Sequence, residues 1–293
     1  MSTAISGAAP WCPGLTIAGR YRLRVRIGEG GAAEVWRALD TTLEAPVAIK
    51  LLHPDLAHGT IAKRFLREAK AAAKLRSLHV VQILDAGLHD DTAYITMELL
   101  EGETLADRLD RVEQLPPKLV SRFVGHIAKA AAKAHAAQIV HRDLKPTNVF
   151  LVTDDDTDEI AKVFDFGIAK VKASPGAGQV TGTTTAGTLL GTPEYMSPEQ
   201  ARGLAVDYRT DLYAMGILAF ESLTGRLPFE ASKMQDVLQL AAEGRLLRPS
   251  QIVAVAPGFD AWFARATAFR AKDRFDSAKD LATALDDVLL LEG

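Results

Sequence analysis

Apolar and basic residues alternate from Tyr21 onward: Tyr21, Leu23, Val25 and Ile27 are apolar, with Arg22, Arg24 and Arg26 between them. A period of two predicts a strand with one face in water. Short apolar runs at 35–38, 47–50, 80–84 and 93–98 predict four more strands. Residues 64–75 are rich in helix formers and predict a helix between the third and fourth strands. The pattern breaks at Glu101-Gly102-Glu103, and beyond it the apolar spacing becomes helical. Thr104 is placed to cap a first helix, residues 117–137 carry an apolar stripe with Lys and Arg between, and 212–220 read as a buried helix. Residues 1–18 hold Gly7, Pro10, Pro13 and Gly14 with little periodicity and are expected to form a flexible tail. The expected fold class is α+β: an antiparallel sheet with one helix over 19–100, then a mostly helical lobe over 101–293.

Composition narrows this only a little. A chain of 293 residues suffices for two lobes with separate cores, and 48% hydrophobic residues argues against disorder. The net charge of −3 gives no reason to expect nucleic acid as a partner. Cys12 is the single cysteine, so no disulfide forms within the chain. Met1-Ser2-Thr3-Ala4 has neither a basic nor an apolar leader pattern, and no apolar run nears the roughly 20 residues of a membrane helix. The expected compartment is the cytoplasm.

One loop is too polar to be explained by packing. His141-Arg142-Asp143-Leu144-Lys145-Pro146-Thr147-Asn148 lies between an Ala-rich helical stretch and the apolar Val149-Phe150-Leu151-Val152. An aspartate with a lysine two residues on and an asparagine five residues on can set a base, a cation and an oxygen ligand around one point. A glycine-rich turn, Gly28-Glu29-Gly30-Gly31, joins two predicted strands; lacking Cβ atoms, it allows backbone N–H groups to approach phosphate oxygens. A plain tight turn would use the same residues. A predicted strand, not a helix, follows these glycines, which argues against a Rossmann unit. Lys50 ends a strand and Glu68 sits in the predicted helix; alone, each reads as an ordinary surface charge.

Taken together and in order, Gly28 and Gly30, Lys50, Glu68, the loop 141–148, Asp165-Phe166-Gly167, the segment 191–199 and Asp273-Arg274-Phe275 resemble a protein kinase catalytic domain, most closely the bacterial, eukaryotic-like serine/threonine kinases. The resemblance covers residues 21–291 and implies a bilobal kinase-like fold that uses ATP and Mg²⁺ to phosphorylate Ser/Thr hydroxyls of proteins. It implies Asp143 as base, Lys145 facing the transferred phosphate, and Asn148 and Asp165 as metal ligands. It further implies Lys50 on the α- and β-phosphates, held by Glu68, and Thr192 bridging Asp143 and Lys145. Ile27, Gly28, Gly30, Val35, Ala48, Met97, Glu98, Leu100 and Glu101 would surround the nucleotide. His141 would pack under Phe166, Glu199 would pair with Arg274, and Asp211 would cap its helix and anchor the loop.

The Gly-, Ser- and Thr-rich stretch before Gly191 resembles an activation segment, in which a phosphothreonine would pair with cations including Arg142. Spacing back from Gly191-Thr192 favours Thr184, with Thr183, Thr185 and Thr188 as rivals; a transient dimer would serve autophosphorylation. Three departures stand out: Ala33 where a third glycine is usual, Gln138 where glycine is common, and a shorter segment before Arg274 without the usual proline. None removes a catalytic group. Two other readings are a pseudokinase scaffold, opposed by the intact Lys50, Glu68, Asp143, Asn148 and Asp165, and a small-molecule phosphotransferase, opposed by the segment 191–199.

Overall fold

The computed structural model describes residues 11–56, 60–153, 159–166, 193–231 and 233–290; the side chain of Glu68 lies outside that description, as do Thr184 and Thr192. Two compact units emerge, one of residues up to Arg76 with Val81–Leu100, the other of Ser77–Val80 with Glu101 onward.

The first unit is a six-stranded antiparallel sheet in the order β1-β2-β3-β4-β6-β5. Its strands are β1 (Thr16–Ile17), β2 (Tyr21–Glu29), β3 (Ala33–Asp40), β4 (Ala45–Leu52), β5 (Ile83–His89) and β6 (Thr92–Glu98), with helix α1 (Thr60–Ala72) between β4 and β5. Alternation decides the layering. Tyr21, Leu23, Trp36, Ile49 and Leu51 bury one face, while Ala33, Leu52 and Ile95 on the other pack against Phe65 and Ala69 of α1.

Two expectations are corrected here. Residues 11–18 are not a tail: Trp11 and Ile17 are buried in the first of these clusters, Leu23 N–H donates to Leu15 C=O, and Gly14 N–H donates to Leu23 C=O. Their apolar positions are too few and too broken by Gly14 and Gly19, both at positive φ, to show a period. The strand expected at 80–84 instead begins at Ile83, because Val80 makes a parallel bridge to Val163 in the second unit. Asp90 and Asp91, both at positive φ, close the β5–β6 hairpin, as a two-residue turn matched to strand twist requires.

The second unit begins with β7 (Gly102–Thr104) and α2 (Leu105–Val112), where Thr104 and Asp107 form a reciprocal capping box. The long α3 (Pro117–Ala136) follows, then β8 (Val149–Val152) and β9 (Ile160–Val163), which complete a three-stranded sheet in the order β7-β8-β9. The remaining α-helices among the described residues are α4 (Pro198–Ala201), α5 (Arg209–Thr224), α6 (Met234–Glu243), α7 (Phe259–Ala266) and α8 (Ala278–Leu290). Nearly every residue of α5 is buried, which is why its sequence shows no amphipathic period. At Gly216 an added Cβ would come within 2.8 Å of Thr267 and 3.0 Å of Ala266, so glycine sets how closely α5 and α7 approach. Among the described residues, no helix is long and apolar enough to cross a membrane.

Gln138, just past α3, has φ 59° where the chain reverses toward the polar loop. A left-handed residue at a helix C-terminus is usually glycine, because a Cβ there is strained by about 1–2 kcal/mol. Gln138→Gly should therefore raise stability by roughly 0.5 kcal/mol, after deducting glycine's larger unfolded-state entropy. Urea denaturation would show this as a higher midpoint at unchanged slope.

His79 and His126 stack with ring centroids 4.3 Å apart and both meet the backbone of Ala161: His126 Nδ1 accepts from its N–H, and His79 Nδ1 lies 3.3 Å from its C=O. Burial, with nearby positive charge, lowers the pKa of both rings, that of His126 from 6.5 to about 4. Each ring binds fewer protons folded than unfolded. Their contribution is complete above pH 6.5 and is lost as pH falls toward 4. His126→Gln keeps an acceptor for Ala161, so it should lose less stability than wild type over that window in pH-resolved thermal unfolding.

Candidate functional site

In the first unit the glycine turn joins β2 to β3. Gly28 pairs with Val35, and Gly30 N–H donates to Ala33 C=O at 2.9 Å. An ideal Cβ at Gly28 or Gly30 would approach nothing closer than 3.6 Å, and at Gly31 it would meet nothing within 4 Å. None of the three has positive φ. Neither internal packing nor backbone conformation therefore calls for glycine in this turn. Register puts Val35 opposite Lys50 and Ala48 opposite Met97, so these four side chains share one face of the sheet. Ile27 is half exposed at the turn, and Glu98, whose carboxylate accepts from Gln82 N–H at 2.8 Å, ends β6 ahead of Leu100.

His53, which the sequence did not single out, sits just past β4. Its backbone N–H donates to Ala32 C=O, and its Nε2–H donates to Gly30 C=O, both at 2.9 Å. A lone histidine after a strand carries no pattern that would have revealed this.

In the second unit the loop 141–148 is held from below. The Asp211 carboxylate accepts from His141 N–H at 2.9 Å, Arg142 N–H at 2.8 Å and His135 Nε2 at 2.7 Å. Asp211 is buried inside α5, three residues after the cap position Tyr208, so the expected capping role is corrected. The helix begins earlier than the apolar run suggested, because Arg209 and Thr210 already form its first turn. Gln200 reaches the same loop from α4, donating to Arg142 C=O at 2.8 Å and accepting from Thr210 Oγ1 at 2.6 Å. These bonds fix Arg142 at φ 65°, a strained value for a residue with a side chain. Gln200 was also missed, although Ser197-Pro198-Glu199-Gln200 is a capping-box pattern and forms that box.

Both nitrogens of the His141 ring meet the backbone: Nε2–H donates to Phe164 C=O at 3.0 Å and Nδ1 accepts from Asp143 N–H at 3.3 Å. Full burial lowers its pKa, and Phe166 packs on it with centroids 4.7 Å apart. A neutral ring with both nitrogens engaged orients its neighbours and is poorly placed to carry a proton.

Asp143 Oδ2 lies 3.5 Å from Lys145 Nζ. The Asn148 side-chain N–H₂ donates to Asp143 C=O at 2.8 Å, which turns Oδ1 away from that carbonyl. Phe164 N–H donates to Asn148 C=O at 3.1 Å, bringing the end of β9, and with it Asp165, beside Asn148. Asp165 is exposed at φ 55°. One amide oxygen and one carboxylate form a hard-oxygen set suited to Mg²⁺, which takes few protein ligands and keeps water and phosphate.

Arg142 Nε is buried without a hydrogen-bond partner among the described residues, and burial lowers the pKa of its guanidinium. Further along, Glu199 and Arg274 form a two-pronged pair at 2.7 Å on each arm, with the Arg274 side chain fully buried. Arg274 also donates to the carbonyls of Ala268 and Arg209.

Comparison with known proteins matches the protein kinase domain over residues 21–278. The chain is 43% identical over 220 residues to serine/threonine-protein kinase pkn3 of Myxococcus xanthus, covering 74% of this chain and 40% of that protein. It is 43% identical over 218 residues to serine/threonine-protein kinase PrkC of Bacillus subtilis, covering 74% of this chain and 32% of that one. It thus spans about two fifths or less of these relatives. Among solved structures, the Mycobacterium tuberculosis PknI kinase domain superposes with a TM-score of 0.73 at 28% identity, over 94% of this chain and 99% of that one.

Proposed function

The chain belongs to the protein kinase domain family, and from that premise we propose that it transfers the γ-phosphoryl group of ATP to Ser or Thr hydroxyls of protein substrates in the cytoplasm. One observation carries the reading: Lys145 lies beside the Asp143 carboxylate, Asn148 donates to the Asp143 carbonyl, and Asp165 follows Phe164, whose N–H donates to Asn148 C=O, in the composition such transfer needs.

In this reading the Asp143 carboxylate orients the substrate hydroxyl and accepts its proton as the new O–P bond forms. The bond from the γ-phosphorus to the bridging oxygen breaks, and ADP leaves. Lys145 neutralises charge on the phosphoryl group in flight, with Thr192 steadying Asp143 and Lys145. Asn148 Oδ1 and the Asp165 carboxylate would hold Mg²⁺, which when bound would supply charge neutralisation to the nucleotide's phosphates. Lys50, paired with Glu68, steadies the α- and β-phosphates. The glycine turn supports this, since its glycines have no internal reason to lack a Cβ and phosphates need that space. Val35, Ala48 and Met97 line an adenine site, with Ile27 at its edge. Glu98 C=O and Leu100 N–H are its hydrogen-bonding partners, and Glu101 meets the ribose. The buried Arg142 Nε supports a regulatory role in which a phosphothreonine at position 184, placed by autophosphorylation in a transient dimer, engages it.

The test is incubation with Mg²⁺ and ATP labelled in either the γ- or the α-phosphate. Only γ-label should enter protein, and a chelator should abolish it; transfer of α-label, or none of either, would contradict the reading. His53 acts on the glycine turn by fixing Gly30. His53→Ala should raise the KM for ATP about two- to tenfold, the value of one hydrogen bond, with kcat little changed. His53→Gln, which can still donate, should recover much of that loss in steady-state kinetics.

A further inference from the structure

A cleft of ≈ 370 Å³ opens in the second unit, where the turn after α4 faces the segment after α7. Its apolar lining includes Leu204 and Phe269, large side chains 52% and 44% exposed, together with Val206. Phe269 is backed by Gly244, where an added Cβ would come within 2.7 Å of its ring. The aromatic surface is therefore fixed in place.

Charge around the cleft is one-sided. Two carboxylates line it, and both are engaged: Glu199 with Arg274, and Asp207 with Arg209 at 2.8 Å. Two exposed guanidiniums also line it, Arg202 and Arg270, and among the described residues neither pairs with a carboxylate. Arg202 is held over the Phe269 ring, 5.5 Å from its centroid. A cation fixed on an aromatic face, a second cation nearby and an exposed apolar floor make a surface whose complement is negative and greasy.

We propose that this cleft docks an acidic peptide segment of a partner protein, with a bulky apolar side chain on Phe269 and Leu204 and flanking carboxylates on Arg202 and Arg270. The site uses no residue of the phosphotransfer machinery. Binding is measured without nucleotide, so this inference and the kinase reading can fail separately.

The probe is a fluorescein-labelled hexapeptide with Leu-Phe between paired glutamates, followed by anisotropy on the full chain. Wild type should bind it and bind less as salt rises. Arg202→Glu with Arg270→Glu should weaken binding at least about tenfold. Arg202→Gln with Arg270→Gln should fall between, and thermal unfolding confirms that each variant is folded. A peptide with lysines for glutamates, and one with Ala-Ala for Leu-Phe, should both bind poorly. Equal binding by either control peptide, unchanged binding by the charge-reversed variant, or no binding at all would overturn the proposal. So would sedimentation in which the double variant abolishes self-association while peptide binding persists, since the occupant would then be a second copy.

Discussion

Asp143→Asn should cut phosphoryl transfer by about 10²–10⁴-fold, the usual worth of a positioned base, while leaving thermal unfolding almost unchanged. The side chain is partly buried beside Lys145, and Asn148 donates to the Asp143 backbone carbonyl at 2.8 Å and, at a longer 3.4 Å, to Asp143 Oδ2. An asparagine leaves that carbonyl bond in place and keeps the side chain's shape. It removes the negative charge that accepts a proton and balances Lys145. The loss should appear in kcat, with the KM for ATP nearly constant, because in this account Asp143 faces the hydroxyl and not the nucleotide.

The second large effect is expected at Asp211, where Asp211→Ala should destabilise the protein by about 3–5 kcal/mol. Three donors converge on its buried carboxylate, and alanine would strand all of them: the backbone N–H groups of His141 and Arg142, and Nε2 of His135. Each buried donor left without an acceptor costs about 1–3 kcal/mol. Against a typical total of about 5–15 kcal/mol, that is a large fraction. Activity should fall with stability, because Arg142 would no longer be held at φ 65° and the loop would relax. Asp211→Asn retains one acceptor oxygen but turns an N–H₂ toward donors, and should land between wild type and alanine in urea denaturation.

What the sequence revealed follows from which signals are local. Strands β2, β3, β4 and β6 were legible because alternation or short apolar runs are properties of neighbouring residues. The β5 strand was misplaced because the bridge from Val80 to Val163, a pairing across 83 residues, decides where it begins. The packing of Trp11 and Ile17 was invisible for a related reason: two buried residues six apart have no period. Asp211 was noticed as an anchor but mistaken for a cap, since the apolar run began at Leu212 while the helix starts at Arg209. Gln200 and His53 reach the loop 141–148 and the glycine turn through backbone carbonyls, and a carbonyl acceptor leaves no trace in side-chain spacing. The loop 141–148 stood out because its charge made no sense as packing. The structure supplies what spacing could not: the backbone around Asp143 is held by Asp211 from α5 and Gln200 from α4.

Phosphoamino-acid analysis after incubation with Mg²⁺ and γ-labelled ATP tests the central claim most directly, with wild type, Asp143→Asn and Lys50→Met compared at equal folded concentration. The account predicts phosphoserine or phosphothreonine in the wild type and almost none in either variant; equal labelling of all three would contradict it.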